Sequence, residues 1–140
     1  MISVLRNILK RPKLHVEVSV DHVELAETYM MLGLNLAWHN ELPDPISVRE
    51  VQMRLYHRGA KEELIWFQPQ GHFTRVPNQK VINKIVGVKS FLLPATESHV
   101  EHIRFFTRTV FDLPEGKYPV EIHAKVPGGT YLHETEITIT

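Results

Sequence analysis

Polar and apolar residues alternate with a period of two along most of the chain from residue 14 onward. Because successive side chains of a strand point to opposite faces, this period predicts strands with one buried face. Four runs show it most clearly, and the residues that share a face in each run are Leu14, Val16, Val18 and Val20; Met30, Leu32, Leu34, Leu36 and Trp38; Tyr118, Val120, Ile122, Ala124 and Val126; and Tyr131, His133, Thr135, Ile137 and Ile139. The last two runs flank Pro127, Gly128 and Gly129, which predicts a hairpin.

The alternation changes phase once, within residues 46–55. Two apolar positions have one parity and the next three have the other: Ile46 and Val48, then Val51, Met53 and Leu55. We expect a bulge near Arg49 and Glu50, because one extra residue would turn all five side chains toward the core.

The middle of the chain has a weaker pattern. Residues 63–67 are compatible with a short strand, whereas residues 68–78 contain Pro69, Gly71 and Pro77 and are predicted to form a long loop. Residues 81–93 are predicted to form two strands that pivot at Gly87, and residues 102–111, rich in β-branched and aromatic residues, a further strand.

About seven or eight short strands separated by turn residues predict an antiparallel sandwich or barrel. Within them, residues 111–126 contain Leu113-Pro114-Glu115-Gly116-Lys117-Tyr118, which resembles the turn that enters the penultimate strand of immunoglobulin-like and fibronectin type III-like domains. The resemblance implies that the Tyr118 hydroxyl bonds to backbone near that turn. The chain departs from antibody domains in lacking paired cysteines. We therefore predict one immunoglobulin-like β-sandwich over residues 13–140, preceded by an N-terminal arm, residues 1–12.

Length, charge and cysteine content narrow the function. The 140 residues suit one domain, and the absence of cysteine excludes disulfides and thiolate chemistry. The 16 basic and 16 acidic residues cancel overall, which argues against a nucleic-acid partner. By segment, however, the charge is +4 over 1–13, −6 over 14–50, +5 over 51–95 and −3 over 96–140. Alternating patches of this kind favour a protein partner or self-association.

The N-terminal arm is basic and amphipathic. Residues 1–13 carry four basic residues and no acidic one, and their apolar residues fall at helical spacing: Ile2, Leu5, Ile8 and Leu9. We expect a short helix or arm that packs on its own sandwich or docks on a partner. Contact of residues 1–12 with a membrane surface is the less favoured alternative. The sequence shows no signal peptide and no transmembrane segment, so we expect a cytoplasmic protein.

Nine histidines raise the question of a metal site. His99 and His102 are the closest pair and the weak candidates, but they lack the order of a zincin helix and are expected to be solvated. His123 and His133 are expected on opposite faces of the final hairpin. No pattern for a nucleophile, phosphate loop or calcium loop occurs, and Glu134 and Glu136 are interpreted as solvated strand surface. We expect no enzymatic activity, metal or cofactor.

The remaining candidates are binding residues in the middle region: the aromatic residues Tyr56, Trp66, Phe67 and Phe73, and the basic residues Arg54 and Arg58. Exposed aromatics on sandwich edges and loops are typical of protein or carbohydrate platforms. The expected function is a non-enzymatic protein-interaction or assembly module using edges, loops and the arm. The alternative is carbohydrate or small-ligand binding through exposed rings.

Overall fold

Ten β-strands and their connections make up the described part of this computed structural model, residues 14–58, 62–75 and 82–140. The strands are β1 (Leu14–Leu25), β2 (Met30–Asn40), β3 (Ile46–Val48), β4 (Glu50–Arg58), β5 (Glu62–Arg75), β6 (Ile82–Val86), β7 (Phe91–Leu93), β8 (Ser98–Thr107), β9 (Gly116–Val126) and β10 (Gly129–Ile139). These residues contain no helix, and therefore none that could cross a bilayer. The arm over residues 1–12 lies outside them.

Eight of the ten described strands form one antiparallel sheet that nearly closes on itself. Its order is β1-β2-β8-β5-β4-β9-β10, with β6 added to β5, while β3 and β7 form a separate pair. The two end strands approach each other, and the Tyr131 hydroxyl on β10 donates a hydrogen bond of 2.8 Å to the Leu14 carbonyl on β1. We call β1, β2, β8 and β6, with residues 70–75 of β5, the β2 half. Strands β4, β9 and β10, with residues 62–69 of β5, form the β9 half.

Strand β5 belongs to both halves. Its first residues pair with β4, residues 68–72 pair with β8, and residues 72–75 pair with β6. The expected long loop over 68–78 is therefore wrong for residues 68–75. Pro69 and Gly71 lie at a register shift in the pairing with β8, where a missing N–H and an extra residue are tolerated within a strand.

One apolar core lies between the two halves. The alternating sets of β2 and β9 point into it, and Trp38, Leu34 and Ile122 are each at most 1% exposed. The hairpin of β9 and β10 is confirmed, as is the division of residues 81–93 into two strands at Gly87. The alternation of β1 weakens after Val16, because the register shifts between Val20 and His22.

The change of phase near Arg49 is a strand break. Strand β3 pairs with β7, Arg49 donates its N–H to the Lys125 carbonyl, and β4 then pairs with β9. Val48 before the break and Val51 after it are both buried. The prediction that apolar side chains on both sides of the change of phase face the core is therefore confirmed.

The Tyr118 hydroxyl donates a hydrogen bond of 2.7 Å to the Pro114 carbonyl, as its resemblance to the turn of immunoglobulin-like domains implied.

The fold class is all-β and antiparallel, and the sheet is nearly closed because β5 pairs with strands of both halves.

Asn40 joins the end of β2 to the β3 and β7 pair. It is fully buried, its Nδ2 lies 3.1 to 3.3 Å from the carbonyl oxygens of Asp44, Leu93 and Pro94, and its Oδ1 accepts the N–H of Leu42 at 2.9 Å. A buried amide with this many partners organises two loops at once.

We expect Asn40→Ala to lower the free energy of unfolding by about 2 to 3 kcal/mol, because it leaves buried backbone groups without partners. Urea denaturation measures the change. Thr138→Ala, at an exposed position of β10, is the matched control and should cost less than about 0.5 kcal/mol. Equal costs for the two variants would contradict this role of Asn40.

Candidate binding surface

The outer face of the β9 half carries a cross-strand row of large polar and aromatic side chains. Trp66 on β5 lies opposite Arg54 on β4, Arg54 lies opposite Glu121 on β9, and Glu121 lies opposite Glu134 on β10. Because these positions have the parity opposite to Met53 and Ile122, which are buried in the core, the row faces away from the core.

The centre of this row is a compact network of charges and rings. The Nε and Nη2 atoms of Arg54 donate to Oε1 of Glu121 at 2.8 and 2.6 Å, and Nε2 of His123 lies 3.0 Å from the same oxygen. The Arg54 guanidinium lies 4.9 Å from the centre of the Trp66 ring, and the His123 ring also lies 4.9 Å from it. Trp66 therefore lies beside both hydrogen-bond partners of Glu121, and its ring face contacts the Arg54 cation.

The network holds Glu121 in its charged form. Partial burial by itself would raise the pKa of Glu121, but hydrogen bonds from His123 and Arg54, and their charge, outweigh burial and lower this pKa below its ordinary value. Glu121 in turn neutralises Arg54, so this predicted basic residue is already paired and is not a free anion site.

An open groove of about 520 Å³ runs beside the network. Its walls include the side chains of Tyr56 and Leu64, the guanidinium of Arg54 and three carboxylates. The carboxylates are those of Glu121, Glu134 and Glu136. We call this the acidic groove. Nearby Leu64, Trp66 and Leu132 are 41 to 47% exposed, which is high for large apolar side chains.

The acidic groove contains an unfavourable pairing. Glu121 and Glu134 are directly opposite on β9 and β10, and like charges in that position destabilise a sheet. Among the described residues, nothing forms an ion pair or hydrogen bond with the carboxylates of Glu134 and Glu136. The groove thus presents two uncompensated negative charges next to apolar surface.

The structure brings only some of the predicted binding residues together. Arg54, Tyr56 and Trp66 share the outer face of the β9 half, and Arg58 is the last residue of β4. Phe67 is fully buried, because its parity on β5 points it into the core, and Phe73 lies beyond the crossing on the β2 half and is 2% exposed. Neither is available to a ligand at the surface, which corrects their assignment to an exposed platform.

The acidic residues of the groove were not identified as a site from the sequence. The sequence pattern predicts Glu134 and Glu136 as solvated strand surface, and both are exposed, but it gives no signal that they form a site with Glu121 and His123. Their alternation on β9 and β10 did indicate a shared face, but the register that places Glu121 opposite Glu134 follows from the folded hairpin.

The two weak metal candidates do not converge. His99 pairs with Trp38 and faces the interior, whereas His102 pairs with Asn35 and faces outward, because residues three apart on a strand point to opposite faces. His123 and His133 also lie on opposite faces, as expected. Within residues 14–58, 62–75 and 82–140, no group of three potential ligands has a geometry that could hold a metal ion.

His99 instead belongs to an interior cluster. Oε1 of Glu101 lies 2.7 Å from Nδ1 of His72, and Oε2 of the same carboxylate bonds to Nε2 of His99. The ring of Phe91 lies between the two imidazoles, with centroid distances of 6.0 and 5.8 Å. Burial by itself would raise the pKa of Glu101, but the bonds and charges of the two histidines lower it overall. Since the side chain of His72 is only 7% exposed, we assign this cluster a structural role.

His22 lies across Gly33 on the outer face of the β2 half. A Cβ at Gly33 would lie 2.0 Å from the His22 ring, so the imidazole occupies the space above the glycine. The ring reaches Phe73, 5.1 Å away between centroids, and Phe73 in turn lies 5.4 Å from the ring of His102. These three rings form a layer on that face.

No family model and no curated protein sequence matches the chain. Among solved structures it resembles Spo0M, a sporulation control protein from Bacillus subtilis, at 11% identity and a TM-score of 0.42, over 90% of this chain and 49% of that one. It resembles a family 123 glycoside hydrolase from Clostridium perfringens at 8% identity and a TM-score of 0.42, over 91% of this chain and 27% of that one. The alkylpurine DNA glycosylase AlkC from Pseudomonas fluorescens matches at 18% identity and a TM-score of 0.31, over 88% of this chain and 31% of that one. At these TM-scores the likeness assigns neither a family nor an activity.

We expect Gly33→Ala to lower the free energy of unfolding by about 1 to 3 kcal/mol, because the new methyl group would overlap the His22 ring. In a His22→Ala background the same substitution should cost much less. A double-mutant cycle by urea denaturation measures this coupling. The same cost in both backgrounds would show that His22 does not require the glycine.

We expect the interior cluster to make stability depend on acid pH. Because the folded pKa of Glu101 lies below its ordinary value of 4.5, its contribution is present above about pH 4.5 and is lost as the pH falls through the folded pKa. Glu101→Gln should therefore lower the free energy of unfolding by about 1 to 2 kcal/mol near neutral pH, and the difference should shrink in acid. Denaturation across pH measures it, with exposed Glu17→Gln as control. A difference that grows in acid would contradict the assignment.

Proposed function

We propose that this protein is a non-enzymatic binding module that recognises a basic segment of a protein partner in the acidic groove. One observation carries the proposal: Glu134 and Glu136 have no cationic partner among the described residues and line a groove together with the exposed apolar side chain of Leu64. A lysine or arginine of the partner would relieve the repulsion between Glu121 and Glu134.

The surroundings of the groove suit a peptide in which basic and apolar residues alternate. The side chains of Leu64 and Leu132 offer apolar contact, and Trp66 is held in position by Arg54 and His123. A rigid aromatic ring loses little conformational entropy on binding and is typical of interface anchors. The partner's cations would interact with the carboxylates, and its apolar side chains with the leucines and the indole.

The proposal is a binding function because the polar groups of the groove are carboxylates on an open sheet face. Carboxyl groups that transfer protons to a substrate usually lie in an enclosed site, whereas Glu134 and Glu136 are exposed.

We further infer that the fold belongs to the immunoglobulin-like class. The hydrogen bond from Tyr118 to Pro114, beside the turn before the final hairpin, supports this assignment. The single core between the two facing halves also supports it.

The carbohydrate alternative has less support. It requires two or more exposed coplanar rings, but Phe67 and Phe73 are buried and Trp66 is the large aromatic side chain that is most exposed among the four candidates.

The test uses a fluorescein-labelled peptide of alternating lysine and leucine, titrated with the full chain in a polarisation assay. We expect the double variant Glu134→Gln/Glu136→Gln to bind it about three- to tenfold more weakly, because each exposed ion pair contributes up to about 1 kcal/mol. Added salt should weaken binding to the unmodified protein and have less effect on the variant.

Two controls isolate the groove. Glu17→Gln/Glu97→Gln removes the same charge from exposed positions elsewhere and should leave the affinity unchanged. A peptide of alternating glutamate and leucine should not bind. Equal affinity of the groove variant and the unmodified protein for the basic peptide would overturn the proposal.

A further inference from the structure

Strand β10 lies at one end of the eight-stranded sheet. All eleven of its residues pair with β9 in one unbroken register, and among the described residues β9 is the strand that forms a backbone ladder with it. Strand β1, at the other end of the sheet, meets β10 near Leu14, whose carbonyl accepts the Tyr131 hydroxyl. Beyond this contact, the edge of β10 over residues 134–139 presents backbone N–H and C=O groups to which a further strand can bond.

The other ends of this sheet are less suited to pairing. Strand β1 has a register shift between Val20 and His22, and β6, which extends the sheet beside β5, has five residues. Bulges and short strands are common protections of sheet edges, and β10 has neither. Among the described strands of the sheet, β10 is therefore the end strand best suited to pair with another chain.

The hydrogen-bond pattern shows which residues of β10 face the free edge. The carbonyl of Lys125 on β9 accepts the N–H of Arg49 and so points toward β4. Because successive peptide groups of a strand point to opposite edges, the even-numbered residues of β9 face β10, where they pair with odd-numbered residues. Pro119 has the parity of Lys125 and lies just beyond the last pair of β9 with β4, where its missing N–H is not needed. The peptide groups of Glu134 and Glu136 consequently point to the free edge.

The side chains of the same two residues add negative charge along this edge. Glu134 and Glu136 are exposed on the outer face and, being two residues apart on a strand, are separated by about 7 Å. An added strand would lie about 4.8 Å from β10, and its residues opposite these two would share the outer face at the same spacing. Because opposite charges directly across a strand pair stabilise it, a segment with basic residues at two alternate positions fits this edge.

The carboxylates disfavour a second copy of this chain as the added strand. Antiparallel pairing of β10 with its own copy, centred on the strand, would place Glu134 opposite the same carboxylate of that copy. Like charges directly opposite destabilise a strand pair. The charge of this edge thus opposes self-pairing and favours a basic partner.

We propose that the basic segment of the partner binds as an extended strand added to the edge of β10, with basic residues at alternate positions opposite Glu134 and Glu136. This inference rests on the proposed function of the acidic groove and specifies how the partner is held. Main-chain hydrogen bonds to the peptide groups of β10 contribute affinity, and the two carboxylates select alternate cations.

The test uses the fluorescein-labelled peptide of alternating lysine and leucine and two derivatives, which are N-methylated at two consecutive lysines or at two consecutive leucines. In an extended peptide the lysines and the leucines direct their N–H groups to opposite edges, so each derivative blocks one edge. We expect one derivative to bind the full chain at least about tenfold more weakly than the parent peptide, and the other to bind within about twofold of it. Loss on lysine methylation corresponds to antiparallel addition, and loss on leucine methylation to parallel addition.

Amide hydrogen exchange followed by NMR measures the same contact from the side of the protein. In the free protein the amides of Glu134 and Glu136 should exchange rapidly, whereas those of Thr135 and Ile137, which face β9, should be protected. Saturating parent peptide should slow exchange at Glu134 and Glu136 by at least about tenfold. Thr135 and Ile137 are the matched controls, and their exchange should stay within about twofold of its rate in the free protein.

Three results would overturn the proposal. Equal affinity of the two derivatives, while binding of the parent peptide still depends on Glu134 and Glu136, would show that side chains alone hold the peptide; the proposed function would then stand without this inference. Protection of the Glu134 amide before peptide is added would show that the edge is already occupied, by a second copy if the protection disappears on dilution. Failure of the parent peptide to bind would contradict the proposed function and this inference together.

Discussion

The passage of β5 from one half of the sheet to the other is the constraint on which the remaining structure depends. One strand pairs with β4 through its first residues and with β8 and β6 through its last. Pro69 has no N–H to donate, and the register shifts between Pro69 and Gly71. Strand β5 therefore changes its pairing partner at a point where its backbone hydrogen bonds are already interrupted. Because a continuous backbone links the halves, their apolar faces enclose one core, with Phe67 near its centre.

The crossing also explains a polar group in the interior. After the register shift, His72 points inward, where an unpaired imidazole would be costly. Glu101 on the neighbouring β8 pairs with it, and His99 bonds to the second carboxylate oxygen. A change of strand pairing thereby produces a hydrogen-bonded polar cluster in the interior. A core made only of apolar residues would lack this dependence on the charge of Glu101.

The two outer faces then acquire different properties. On the β9 half, Arg54 and His123 are both used to hold Glu121, which leaves Glu134 without compensation. On the β2 half, the ring of Phe73 contacts those of His22 and His102, and Gly33 provides the space for the His22 ring. The first face is open and negatively charged, whereas the second is buried around Met31 and Phe73. The open, charged face of the β9 half is therefore the one that favours an external partner.

The sequence by itself determined the strands whose pattern is local. The alternation in β2 and β9, the change of phase at Arg49 and the final hairpin were predictable, because strand geometry places successive side chains on opposite faces. The hydrogen bond of Tyr118 was implied by the resemblance of its turn to that of immunoglobulin-like domains. Only the tertiary structure decided the partners of β5, the burial of Phe73 and the position of Glu134 opposite Glu121. Each of these depends on which distant strands pair and in which register, and the energy of such a contact depends on residues far apart in the chain.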